Sequence, residues 1–164
     1  TISMTEGKHY FEATLTDYSS ATSCAPGIWN DTSSNLNTGA DSYGNAYLFV
    51  TDYGGNYKVY VDAGSTTAFE STGSLSDGDI IGIALDLDNA KCYAHINGTY
   101  LNSGNSVYDT WPRDTYFFGG YEYTTGNILD FNFGQKPFKY APRRGFLPLN
   151  TASNTPEKVK QSSF

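Results

Sequence analysis

Hydrophobic and polar residues alternate along most of this chain, and no stretch sustains the three-to-four-residue spacing of an amphipathic helix. A first strand is predicted over 8–16, where Phe11, Ala13 and Leu15 share a face. A second runs from Ala25 to Trp29. Two more, over 45–50 and 56–62, are joined by a turn at 52–56 that contains Gly54 and Gly55; in the latter strand Tyr57, Val59 and Val61 oppose Lys58 and Tyr60. Residues 77–97 read as turn, strand, turn, strand. Ile81, Ile83, Leu85 and Leu87 fall on one face, with Cys92, Ala94 and Ile96 on the facing side of the next strand. Asp88-Asn89-Ala90 supplies the hairpin connection, and Asn97-Gly98 marks another turn because both residues tolerate positive φ. Further strands are predicted over 115–123 and 127–134, with Leu129, Phe131 and Phe133 pointing inward.

Two stretches lack the alternation. Residues 30–42 form a long polar loop with Leu36 as its only apolar anchor. Pro137, Pro142 and Pro148 keep 135–150 from acting as a central strand, so this segment is expected to wrap around the rest. Several short antiparallel strands without helices predict an all-β fold, a two-sheet antiparallel β-sandwich. Its expected extent is 1–150, followed by a polar C-terminal tail over 151–164.

The 164 residues suit one domain, large enough to fold without a metal or disulfide. Cys92 alternates with Ala94 and Ile96, which predicts a small buried thiol in preference to a bridge with Cys24. A net charge of −7 with 10 Lys and Arg argues against nucleic acid as a partner. Lys136, Lys139, Arg143 and Arg144 lie close together but are interrupted by Pro137, Phe138, Tyr140 and Pro142, as on a solvated edge. No apolar run approaches the roughly 18 residues of a membrane span, and no signal peptide is visible, so no membrane insertion is expected. Thr1 stands where an initiator Met would, which suggests a module with neighbouring domains in a longer chain.

Catalytic chemistry is sparse. Asp86 with Asp88 comes closest to the carboxylates at alternate positions that sandwich glycosidases use, but Asp88 is turn-forming and no third acid continues the series. His9 and His95, the two histidines, fall at predicted outward positions with no Cys or acid at zinc-ligand spacing. Nucleophile elbows, phosphate loops and dinucleotide fingerprints are absent from the sequence. Asp77-Gly78-Asp79 and Asp86-Leu87-Asp88-Asn89 offer hard oxygen ligands for calcium, or are simply turns in which Asp and Asn bond the backbone. Asn30-Asp31-Thr32 and Asn97-Gly98-Thr99 fit the glycosylation pattern. The expectation is no enzyme, no cofactor and no metal.

The ordered motifs resemble a SPRY domain, a concanavalin A-like β-sandwich. GKHYFEATL at 7–15 looks like that family's opening strand, PGIW at 26–29 its second strand, and SYG at 42–44 its Ser-aromatic-Gly element. GDIIGIALDLDNAKCYAHING at 78–98 is similar to the signature hairpin, and LDFNFGQKPFKY at 129–140 to the closing strand. Two departures are Ala90, where the hairpin turn more often has Gly, and Ala94, where a core aromatic is usual. The closing LPLNTASNTPEKVKQSSF resembles the segment that ends SPRY-like modules in bacteriophage virion proteins.

The resemblance implies a ligand surface made by loops at one end of the sandwich, here roughly 29–42 and 117–124. Trp29, Tyr43, Tyr121 and Tyr123 would offer flat faces with polar handles, and Asn35 and Asn37 directional hydrogen bonds. Alternatively Trp29 fills the core and Tyr43 is structural, while Trp111 caps an edge. The function so implied is a non-catalytic recognition module of a virion protein, such as a phage tail or fibre, that contacts a host protein or glycan. Its setting would be virion or extracellular. The alternatives are a purely structural virion spacer and an intracellular SPRY adaptor reading a short peptide.

Overall fold

The computed structural model describes residues 3–18, 24–30, 46–61, 66–112, 114–122 and 126–149, with backbone alone for 46, 47, 121 and 122. The expected tail over 151–164 lies outside the described residues. Eleven strands are present among them: β1 (Lys8–Asp17), β2 (Cys24–Asn30), β3 (Ala46–Tyr53), β4 (Asn56–Val61), β5 (Thr66–Thr72), β6 (Ile80–Asp86), β7 (Lys91–Ile96), β8 (Thr99–Tyr100), β9 (Tyr116–Glu122), β10 (Ile128–Asn132) and β11 (Leu147–Pro148). They form a six-stranded sheet in the order β10-β1-β6-β7-β8, with β11 beside β1, and a five-stranded sheet in the order β5-β4-β3-β2-β9. The fold is an all-β two-sheet sandwich, as the alternation predicts.

Register explains the core. In the β6–β7 hairpin Ile81 pairs with Ile96, Ile83 with Ala94 and Leu85 with Cys92, so apolar side chains meet across the ladder on one face. β1 adds Phe11, Ala13 and Leu15 to that face, and β2 to β4 supply Ile28, Leu48, Val50, Val59 and Val61 from the facing sheet. Burial of each Val, Leu, Ile or Phe side chain among them contributes about 1.5–3 kcal/mol. Phe11 bridges the layers, its ring 4.3 Å from Phe118, and the rings of Phe131 and Phe133 stack at 5.4 Å beside it. Both cysteines are buried thiols outside any disulfide, and burial pushes the Cys92 thiol well above its ordinary pKa.

β5 is an addition to the sequence reading. Thr66–Thr72 carries its two apolar residues, Ala68 and Phe69, at neighbouring positions and is largely exposed, so it shows no period-two contrast. Ala90 takes φ 53, the left-handed conformation in which the family's usual glycine is free of Cβ strain.

The outer face of the six-stranded sheet is covered by residues 133–149, the proline-bearing segment expected to wrap. Tyr10, Ala84 and Phe146 are buried together there, with Tyr93 and Phe138 packed against them. Glu12 anchors this strap from β1: its carboxylate accepts the backbone amides of Lys139 and Tyr140, each at 2.8 Å. The Arg143 guanidinium lies 4.0 Å from the Tyr93 ring centroid and 5.1 Å from that of Tyr100, and donates to the Gly104 carbonyl at 2.7 Å. This cation is therefore engaged, whereas Lys136 forms an exposed ion pair with Asp130.

His95 corrects an expectation. Its position does face away from the core, but the strap covers that face, and the ring is fully buried rather than at the surface. Nδ1 accepts the Gly98 amide at 3.1 Å, which places the proton on Nε2, 2.7 Å from the Tyr10 hydroxyl. Tyr10 in turn donates to Glu12 at 3.0 Å. Burial lowers the His95 pKa to about 4, outweighing the opposite pull of Glu12. The imidazole is thus neutral at pH 7. Gly82 makes room for it, since a Cβ there would lie 2.1 Å from Nε2.

Candidate binding surface

With one sheet face sealed by the strap, the surfaces left among the described residues are the outer face of the five-stranded sheet and the seams between the layers. Of the residues expected to bind, Trp29 alone has a described side chain. It sits on the outer face of the five-stranded sheet and is buried with Ala25 and Phe49, against which Tyr60 packs. The Phe49 and Tyr60 rings stack at 5.2 Å. Trp29 therefore belongs to a small outer cluster and fills no part of the main core. Asn35, Asn37, Tyr43 and Tyr123 lie outside the described residues, and Tyr121 is placed by its backbone alone.

The register separates the two expected loops. β9 runs from Tyr116, opposite Asn30, to Glu122, opposite Cys24. The chain therefore enters 31–45 at one end of the β2–β9 pair and 123–125 at the other. Position 121 pairs with Ala25, four residues along β2 from Trp29, a distance of about 13 Å.

The acidic motifs are committed to structure. Asp86 accepts the Asn89 amide at 3.0 Å and pairs with Lys8 at 2.7 Å, which closes the hairpin and ties it to β1. Burial raises its pKa, but the bonds from Lys8 and Asn89 more than offset this and hold it below the usual carboxylate value. Asp88 accepts the Gly7 amide at 2.8 Å, Asp77 the Tyr18 amide at 2.6 Å, and Asp79 the Ser76 amide at 2.8 Å. Each caps a turn or bridges to a neighbouring segment. Among the described residues no group of three His, Cys, Asp or Glu could hold a metal ion, and no helix is long and apolar enough to cross a membrane. Trp111 is buried edge-on to Tyr108 and Tyr116, in line with an edge cap.

The two seams of the sandwich differ. At the β9–β10 side the layers close tightly, because a Cβ at Gly120 would come within 2.7 Å of Phe131. At the β5–β8 side they part, leaving a groove of about 830 Å³ floored by Tyr57, Phe69, Ile96 and Leu101. A smaller hollow of about 360 Å³ continues it past Ala68 toward Val107. The wall opposite β5 is a left-handed turn, with φ 50 at Asn102 and 53 at Ser103.

This architecture has a solved counterpart. The SPRY domain of human HERC1 superimposes with a TM-score of 0.52 over 84% of this chain and 81% of that one, at 15% identity. The fold is that of a SPRY domain. No family model matches the chain. Proteins similar in sequence include two helicases. The ATP-dependent RNA helicase Ddx1 of Drosophila melanogaster is 31% identical over 143 residues, and DDX1 of Xenopus laevis 28% over 148. These alignments cover 87% and 90% of this chain but only 18% of each helicase.

Within the SPRY fold, the signature hairpin and closing strand identified from sequence occupy β6–β7 and β10. The two features that sequence reasoning missed, the sealed Tyr10–His95 face and the open β5 edge, share a cause. Each is defined by what lies beside a strand rather than by the strand's own pattern. The one available signal was the proline-rich 135–150 segment, which predicts a wrap but not which face it covers.

Proposed function

We propose that this chain is a non-catalytic, protein-binding module of the intracellular SPRY adaptor kind, reading a short peptide of its partner. The observation that carries the reading is the asymmetry of the sandwich. One sheet face is closed by the chain's own strap and the acidic motifs are tied into turns, while one seam between the layers stays open among the described residues. The SPRY fold supports a role in binding, and the similar regions in fly and frog helicases favour a eukaryotic, intracellular setting. A second reading, a virion module contacting a host glycan or protein, is favoured by the likeness of 147–164 to the close of bacteriophage modules. The proposed contacts are Asn35, Asn37 and Tyr43 on one segment, and Tyr121 and Tyr123 on the other, with Trp29 supporting the sheet between them. Because these groups leave opposite ends of the β2–β9 pair, they are tested separately. Asn35→Ala with Asn37→Ala, and Tyr121→Ala with Tyr123→Ala, are screened on peptide and glycan arrays, with and without calcium. Peptide binding lost in one pair at an unchanged melting temperature supports the adaptor reading. Binding to glycans alone would favour the virion reading, and binding to neither would leave a structural spacer.

A further inference from the structure

The ladder between β4 and β5 fixes which backbone groups of the edge are free. The Gly73 amide donates to the Gly55 carbonyl at 3.0 Å, and Asn56 faces Thr72 one step inward. Hydrogen-bonded pairs alternate along an antiparallel ladder, so Tyr57–Ser71 and Val59–Phe69 exchange bonds, whereas Lys58–Glu70 and Asn56–Thr72 do not. The amides and carbonyls of Glu70 and Thr72 therefore point away from β4. β5 is the last strand of its sheet, and among the described residues no group bonds to those four. Unused edges are ordinarily blunted by Lys, by Pro or by a covering element. Thr66–Thr72 contains neither Lys nor Pro, and its one irregularity, the bulge opposite Val59 and Tyr60, leaves 69–72 regular. The opposite edge strand of the same sheet, β9, is engaged at its first residue, where Tyr116 exchanges two bonds with Met4 at 2.8 Å.

We propose that the free edge of β5 accepts an extended, basic segment of a partner protein as an added strand, through the backbone of Glu70 and Thr72. This rests on the protein-binding reading above and adds to it a surface and a partner chemistry. Every second side chain of the added strand enters the groove, where Phe69, Ile96 and Leu101 receive apolar groups. The charged residues lining the groove and its continuation, Glu70 and Asp109, are both acidic; Glu70 Oε1 is taken by Lys58 at 3.5 Å and Asn56 at 2.8 Å, so Glu70 Oε2, Asp109 and the overall charge of −7 are what a partner meets. That charge selects Lys or Arg and rejects acidic segments.

The test selects a displayed random dodecapeptide library on the whole chain, then follows amide hydrogen exchange by NMR with the enriched peptides. In the free protein the Glu70 and Thr72 amides exchange quickly, and Ser71 and Gly73 slowly. Enriched peptides alternate apolar with basic residues and protect Glu70 and Thr72. N-methylation along the peptide weakens binding about tenfold at every second position, the loss of one backbone bond. Thr72→Pro gives a similar loss, since its amide serves no ladder bond. The N-methyl scan carries the test if that variant folds poorly. Enriched peptides whose protection falls on the connecting segments would overturn strand addition while leaving protein recognition intact. Failure to enrich any peptide would overturn both. Protection of Glu70 and Thr72 that rises with protein concentration alone would assign the edge to a second copy of this chain and overturn the proposal.

Discussion

Glu12 is a β1 side chain on which a strap more than 120 residues away depends, and the substitution Glu12→Gln isolates that dependence. The carboxylate is almost fully buried and accepts three hydrogen bonds, from the Tyr10 hydroxyl at 3.0 Å and from the Lys139 and Tyr140 amides at 2.8 Å. The carboxamide of the variant keeps one acceptor oxygen and turns the other into a donor that faces a donor. One charge-assisted bond, worth about 1.5–3 kcal/mol, is lost, and the other two fall to neutral strength at about 1 kcal/mol each. Removing a buried charge returns part of that loss. The net destabilisation is about 2–4 kcal/mol, or roughly 5–15 °C in melting temperature for a domain of this size. Urea unfolding gives the stability change, and hydrogen exchange at Lys139 and Tyr140 shows whether the strap loosens first. A loss below about 0.5 kcal/mol, a small fraction of one charge-assisted bond, would refute the anchoring role. So would unchanged protection of those two amides.

Three further outcomes follow from the same face and its hairpin. His95 has a folded pKa of about 4 against 6.5 when exposed, so the unfolded chain binds the extra proton between these values. Its contribution, roughly 3 kcal/mol by linkage, is complete above pH 6.5 and lost as pH falls to about 4. Urea titrations of the wild type and His95→Gln should show a shallower slope across that window in the variant; equal slopes would contradict a buried neutral ring. Gly82→Ala drives a Cβ to within 2.1 Å of His95 Nε2 and should cost about 1–3 kcal/mol. Thermal denaturation should show that cost shrinking when His95→Ala is added, and additive losses would place the clash elsewhere. Ala90→Gly relieves φ 53 in the hairpin turn and should raise stability by about 0.5–1 kcal/mol, after the greater entropy of glycine in the unfolded chain is subtracted. A loss in calorimetry would mean that the alanine methyl has a packing role.

The parts of this fold legible from sequence are those where a strand's own alternation carries the information. The Ile81–Leu85 and Cys92–Ile96 faces meet in the register that their spacing requires, and Phe11, Ala13 and Leu15 share the core. Period-two patterning tells which side of a sheet a residue takes, but not whether that side is wet. His95 and Trp29 both point away from the main core, yet each is buried, His95 beneath residues that follow it by some forty positions. β5 escapes notice for the opposite reason: an edge strand with both faces partly solvated shows no contrast between alternate positions. Motif order places the two expected binding segments along the chain, and side-chain chemistry picks the residues within them. Motif order does not tell that antiparallel pairing sends the two loops to opposite ends of β2 and β9.

The claim on which the functional account turns is that a partner meets the five-stranded side and its seam, because the chain itself occupies the other sheet. Hydrogen-exchange mass spectrometry of the protein with its tightest selected peptide measures this directly. New protection confined to the connecting segments of β2–β5 and β9, or to the β5 edge, with 133–149 and Tyr10–Glu12 unchanged, is the predicted result. Protection of the strap and of the Tyr10, Glu12 and His95 face would contradict it, since binding there would require the chain to surrender a cover it already holds.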